Sequence, residues 1–209
     1  MAVLSTYNLS VVKRDRLLFE QVNISVQQGA LLYVKGPNGA GKTSLLRVLT
    51  GLVAADSGDV LFEQQNIKEC AQRYQQQLIY FGHKLGVNHT LSAVENLRFW
   101  CAVHNVKVSD TKIYEVLELL GLVGLEDVAV GSLSAGQQRR TALARFWLKT
   151  ESKLWILDEP FTALDTQGIR VLSQKLVEYL SQGGAVIMTS HQSLELDYPT
   201  QELTLEYRI

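Results

Sequence analysis

No run of apolar residues in this 209-residue chain reaches the roughly 20 needed to cross a bilayer as a helix, and its N-terminus shows no basic-then-apolar leader pattern. The expected setting is therefore cytoplasmic or peripheral to a membrane. Cysteine is scarce: Cys70 and Cys101 form no CxxC pair and have no histidine at metal-ligand spacing, which argues against a disulfide framework, a zinc site or a haem site. Both are expected as small buried side chains. An excess of one charge is missing too. Lys and Arg number 20, Asp and Glu 21, and the formal net charge is −1, so neither a basic face for nucleic acid nor an acidic tail is indicated. The one basic cluster, Lys13, Arg14 and Arg16 around Asp15, reads as a solvated turn. Repeats and linkers are absent, and the glutamine-rich stretch 64–77 is too mixed to be low-complexity. A hydrophobic fraction of 46% over this length suits one sizeable core with a smaller attached subdomain.

What is present is strand, glycine-rich turn, helix. Leu31 to Val34 is a short apolar run expected as a buried strand, and it leads into Gly36-Pro37-Asn38-Gly39-Ala40-Gly41-Lys42-Thr43, followed by Ser44. Leu45, Leu46, Val48 and Leu49 then mark a helix that Gly51 can end. The octapeptide fits G-x-x-x-x-G-K-[ST], and each residue type has a reason. Glycines let backbone N–H groups turn inward around phosphates, and the helix presents its positive end to them. Lys42 supplies a mobile charge to the β- and γ-phosphates, and the Thr43 hydroxyl can ligate Mg²⁺.

Two further segments complete the chemistry. Leu154 to Leu157 is an apolar strand that ends in Asp158 and Glu159, at the sheet end where α/β folds bind ligands. Asp158 there can orient the Mg²⁺ shell, and Glu159 can polarise a water toward the γ-phosphate. Ser134-Ala135-Gly136-Gln137 is a capping box that opens a helix, as is Ser92 to Glu95, while Ser109 can cap a helix carrying Ile113, Val116, Leu117 and Leu120 on one face. Asp56-Ser57-Gly58 is expected to turn into a strand at Val60 to Phe62, Val171 to Leu180 to form a helix, and Ala185 to Met188 a buried strand. Alternating strands and helices imply an α/β fold with a mostly parallel sheet. An Asn-Lys-x-Asp base-reading motif is absent, which removes the GTPase reading.

With these motifs in this order the chain resembles the ATP-binding subunits of ABC transporters over nearly its whole length. Leu133-Ser134-Ala135-Gly136-Gln137 is similar to the family signature, with Ala135 in place of a glycine. The resemblance implies an α/β nucleotide-binding domain: one domain over residues 1–209, with a P-loop RecA-like core, an antiparallel β subdomain and a helical subdomain at roughly 85–150. It implies that the signature caps the γ-phosphate of ATP held by a second copy of the chain. It implies a loop crossing that dimer at Thr162 to Asp165, and a γ-phosphate contact from His191, catalytic beside Lys42 and Glu159. The family's Mg²⁺-sensing glutamine is replaced by His83, which joins Thr43 and Asp158 as a candidate Mg²⁺ ligand. The aromatic that stacks on adenine is replaced by Lys13, leaving Lys13, a neighbouring Arg or Tyr7 as candidates.

Asn38 to Leu52, Gly82-His83, Leu133 to Leu148 and Leu154 to Asp165 narrow the resemblance to the ATP-binding subunits of bacterial cytochrome c maturation. That implies ATP and Mg²⁺ as cofactors, the membrane subunits CcmB, CcmC and CcmD as partners, and a peripheral place on the cytoplasmic face of the inner membrane. It implies no direct haem ligand on this chain. A transporter ATPase for another cargo, such as lipid or lipoprotein, and a soluble ABC ATPase remain as alternatives.

Overall fold

A computed structural model describes residues 2–190 and 196–207. In chain order the strands are β1 (Ala2–Lys13), β2 (Arg16–Val22), β3 (Ser25–Gln27), β4 (Leu31–Lys35), β5 (Ser57–Phe62), β6 (Gln65–Asn66), β7 (Leu78–Phe81), β8 (Leu154–Asp158), β9 (Ala185–Thr189) and β10 (Thr200–Thr204). The helices are α1 (Lys42–Leu49), α2 (Ala71–Gln77), α3 (Ala93–Val103), α4 (Asp110–Leu119), α5 (Ala135–Leu143), α6 (Arg145–Leu148) and α7 (Thr166–Ser181). The chain forms two compact units: Met1–Gly82 with Ser152–Pro160 and Leu176–Ile209, and His83–Glu151 with Phe161–Lys175.

The first unit contains two sheets. One is antiparallel, in the order β2-β1-β5-β6 with β3 also pairing β1; the other is parallel, in the order β10-β4-β9-β8-β7. Every residue of β8 and β9 is buried, as continuous apolar runs in the middle of a parallel sheet require. Trp155 of β8 stacks on Tyr179 of α7 with 3.7 Å between ring centroids, and both polar tips are satisfied at Ser152. β1 and β2 join through Arg14 and Asp15, whose φ values of 52° and 59° make a two-residue type I′ turn. Strand β5 starts at Ser57, inside the expected turn and before Val60, because Gly58 (φ 84°) bends the strand itself. A Cβ there would stand 2.4 Å from the carbonyl oxygen of Tyr7.

Helix α1 ends as expected at Gly51 (φ 76°), where Leu52 and Gly51 donate to the Arg47 and Val48 carbonyls in a Schellman motif. The second unit is helical. Capping boxes at Ser92 and Ser134 open α3 and α5, and Ser109 caps α4. Leu97, Cys101, Ile113, Val116, Leu117 and Leu148 are among the buried side chains of its core. Helix α7 begins a turn or more before Val171, because Asp165 accepts the Gly168 N–H and caps a first turn that carries no apolar stripe. Both cysteines are free and buried.

Candidate functional site

The phosphate loop leaves β4 and enters α1 with its glycines in backbone conformations that other residues avoid. Gly36 has φ 143° and Gly41, the residue before α1, has φ 99°. A Cβ on Gly36 would lie 2.3 Å from the Leu205 carbonyl oxygen, so the segment after β10 packs directly on the loop. Lys42 is 8% exposed, and its ammonium donates to the carbonyls of Gly36 (2.6 Å) and Pro37 (3.1 Å). The charge is thus folded onto its own loop. Ala40 is buried and donates its N–H to the Pro37 carbonyl, tightening the same turn.

Asp158 ends β8 and is 3% exposed, a burial a carboxylate tolerates only when its oxygens are bonded. Thr43 Oγ1 donates to Oδ2 at 2.8 Å, and Thr189 Oγ1, from the end of β9, donates to Oδ1 at 2.8 Å. The same Thr189 hydroxyl accepts the Glu159 N–H at 3.0 Å. Glu159 sits at φ 51°, a left-handed conformation that a non-glycine residue occupies at a cost, and the Thr189 bond holds it there. Nearby, burial and the Asp158 charge together raise the Tyr80 pKa, which keeps that phenol protonated. Tyr33 Oη donates to the Ser190 carbonyl at 2.8 Å, fixing the residue that precedes His191. His191 itself lies outside the described residues.

A groove of about 510 Å³ runs along this array. Its walls are Asn38, Gly39 and Gly41–Ser44 from the loop, Glu159, and Lys13, Arg14, Arg16 and Leu18 from the β1–β2 hairpin. The basic cluster, expected as a solvated turn, therefore faces the groove; pairing of β1 with β2 brings it there, which no local pattern reveals. Tyr7 is 59% exposed and is not among the groove's walls. Thr43 and Asp158 form a small set of hard oxygen donors of the kind Mg²⁺ uses when phosphate and water fill its remaining positions. Among the described residues, no three His, Cys, Asp or Glu side chains gather into an all-protein metal site.

In the second unit Ser134 and Ala135 are exposed at the start of α5. Ser134 Oγ accepts the Gln137 N–H at 3.2 Å, and Gln137 Oε1 accepts the Ser134 N–H at 2.8 Å. Gly136 has no room for a side chain, since a Cβ would meet the Ala163 carbonyl oxygen at 3.0 Å. Arg140 of the same helix donates to Asp165 at 2.6 Å, tying α5 to the 162–165 loop. The Gly168 N–H and then Arg140 hold the Asp165 pKa down. His83 is exposed, in the loop that follows β7, and Arg145 shapes this loop by donating to the carbonyls of Leu85 (2.8 Å) and Gly86 (2.7 Å).

The structure thus brings Lys42, Thr43, Asp158 and Glu159 together in one unit, and Ser134 to Gln137 with Asp165 in the other. Thr189 and Tyr80 escaped the sequence reading. A threonine closing an apolar strand signals only strand propensity.

A family model described as ABC transporter matches residues 19–162. The cytochrome c biogenesis ATP-binding export protein CcmA of Idiomarina loihiensis is 51% identical over 207 residues, covering 99% of this chain and 94% of that protein. The protein of the same name from Vibrio cholerae is 45% identical over 197 residues, covering 94% of this chain and 95% of its own length. Among solved structures, the dimeric bacterial ABC transporter cassette MJ0796 superposes with a TM-score of 0.85 at 19% identity, covering 97% of this chain and 94% of that one. An ATP-binding protein of a putative ABC transporter from Pyrococcus furiosus gives a TM-score of 0.79 at 24% identity, covering 97% and 96%. These two likenesses show the fold; the family model and the sequence relatives show that this chain belongs to the ABC transporter ATP-binding family, among the CcmA-type cytochrome c biogenesis proteins.

Proposed function

We propose that the chain binds MgATP in the groove of its first unit, hydrolyses it as one of two paired copies, and powers a late step of cytochrome c maturation. The observation that carries this reading is that Lys42, Thr43 and Glu159 line one groove, with Asp158 bonded to Thr43, on a chain about half identical to a CcmA protein. Lys42 leaves the Gly36 and Pro37 carbonyls for the β- and γ-phosphates, a charge-assisted exchange. Thr43 and Asp158 hold Mg²⁺, which when bound neutralises charge on the phosphate oxygens; His83 is the further candidate for that shell. Glu159 accepts a proton from the attacking water. Asn38 to Ser44 supply backbone N–H donors to the phosphates, and His191 contacts the γ-phosphate. Ser134, Ala135, Gly136 and Gln137 present the start of α5 to the ATP of the second copy, with Asp165 at the interface between copies.

No helix among the described residues is long and apolar enough to cross a membrane. Coupling to the inner membrane therefore goes through other subunits, CcmB, CcmC and CcmD. The dock for them is the loop from His83 through α3, where Leu85 and Val87 are half-buried and Phe99 and Val103 of α3 are 67% and 60% exposed. Haem staining of membranes from a strain whose sole copy carries Lys42→Ala tests the whole reading. Loss of c-type haem bands, with b-type cytochromes retained, is expected; normal c-type bands would reject the cytochrome role and leave the family intact.

A further inference from the structure

Phosphates sit at the loop, so the base of the nucleotide lies at the other end of the groove. Among the described residues that line that end are Lys13, Arg14, Arg16 and Leu18, with no aromatic ring. Arg16 is held there from two directions. Its Nη2 donates to the Gly39 carbonyl at 3.1 Å, and its guanidinium carbon lies 3.9 Å from the centroid of the Tyr207 ring. Tyr207 also packs against the loop, since a Cβ on Gly39 would stand 3.2 Å from the ring. The ring is brought there by parallel pairing of β10 with β4 and by the Leu205 N–H, which donates to the Lys35 carbonyl at 2.9 Å. Arg16 is one of the groove's walls, and its guanidinium lies against the Tyr207 ring.

We propose that Arg16, backed by Tyr207, is the platform on which the purine of ATP stacks; this rests on the ATP reading and assigns the base its contact. A guanidinium is planar, delocalised and weakly hydrated, so it can take a π face on each side. The Tyr207 ring and the Gly39 carbonyl fix its plane before the base arrives, which removes most of the ordering cost that a mobile lysine would incur. The platform also makes a segment at residues 205–207 part of a site whose motif lies at residues 36–43.

Calorimetric titration of the full chain with MgATP and with magnesium tripolyphosphate, which has the phosphates and no base, tests this. Arg16→Lys keeps the charge and loses the plane. It is expected to weaken ATP binding about tenfold and leave tripolyphosphate binding within about twofold. Tyr207→Ala should weaken ATP selectively in the same way, and Tyr207→Phe should restore it. Wild-type ATP affinity in Arg16→Lys, or equal losses for the two ligands, would overturn the platform. A wild-type chain that bound neither ligand would overturn the ATP reading with it.

Discussion

Thr189 joins the two acids of the site with one hydroxyl. It donates to the Asp158 carboxylate and accepts the backbone N–H that holds Glu159 in its left-handed conformation. Thr189→Val keeps the shape of the side chain and removes both bonds. Hydrogen bonds to charged groups are worth about 1.5–3 kcal/mol, so turnover should fall about tenfold or more while the KM for ATP changes little. Thr189→Ser should recover most of the rate, and steady-state kinetics on the three proteins will separate positioning from a packing defect. Glu159→Gln retains size without a proton acceptor. It should lower turnover on the order of 10²–10⁴-fold and leave a long-lived ATP-bound species, visible by size-exclusion chromatography. Lys149 acts on stability. Burial lowers its pKa to about 8, below the ordinary lysine range near 10.4. Between these values the unfolded chain holds more protons than the folded one, so stability rises with pH across that window. Urea unfolding at pH 7.5, 9 and 10.5 should show the rise, and Lys149→Met should flatten it.

The capping serines separate stability from function because two of them share one local geometry. Ser92 opens α3 and Ser134 opens α5, each with a reciprocal partner three residues on. Ser92→Ala and Ser134→Ala should each cost about 1 kcal/mol, a thermal shift of roughly 2–4 °C. Only Ser134→Ala should abolish cooperative ATP hydrolysis, since the proposed function gives only α5 a place at the ATP of a second copy; equal activity losses in the two variants would remove that role. These helices were legible in the sequence because a capping box followed by an apolar stripe is a local signal. The phosphate loop and the strand ending at Asp158 were legible for the same reason. Strand β10 was not: Thr200 to Thr204 is mostly exposed and polar, and it becomes a strand by pairing with β4. The groove's hairpin wall and Tyr207 depend on that tertiary pairing too, so spacing along the chain could not reveal them.

At the scale of the whole molecule, the proposed function needs two copies to complete one catalytic site. Specific ATPase activity should therefore rise with protein concentration in a dilution series and level off once pairing saturates; activity independent of concentration across the monomer range would contradict pairing. The same dependence should disappear in Glu159→Gln, which holds pairs together but turns over slowly.

The parallel sheet also imposes a timetable on the ribosome. Strand β4, from which the phosphate loop springs, is made early, yet both of its neighbours, β9 and β10, follow roughly 150 residues later. Until then the emerging chain carries an apolar strand with two open edges and a nucleotide loop without its backing, a state prone to adhere to other chains. Nucleotide binding thus becomes possible only after β9 and β10 have emerged to flank β4, and a ribosome stalled before β9 would display a polypeptide unable to retain ATP.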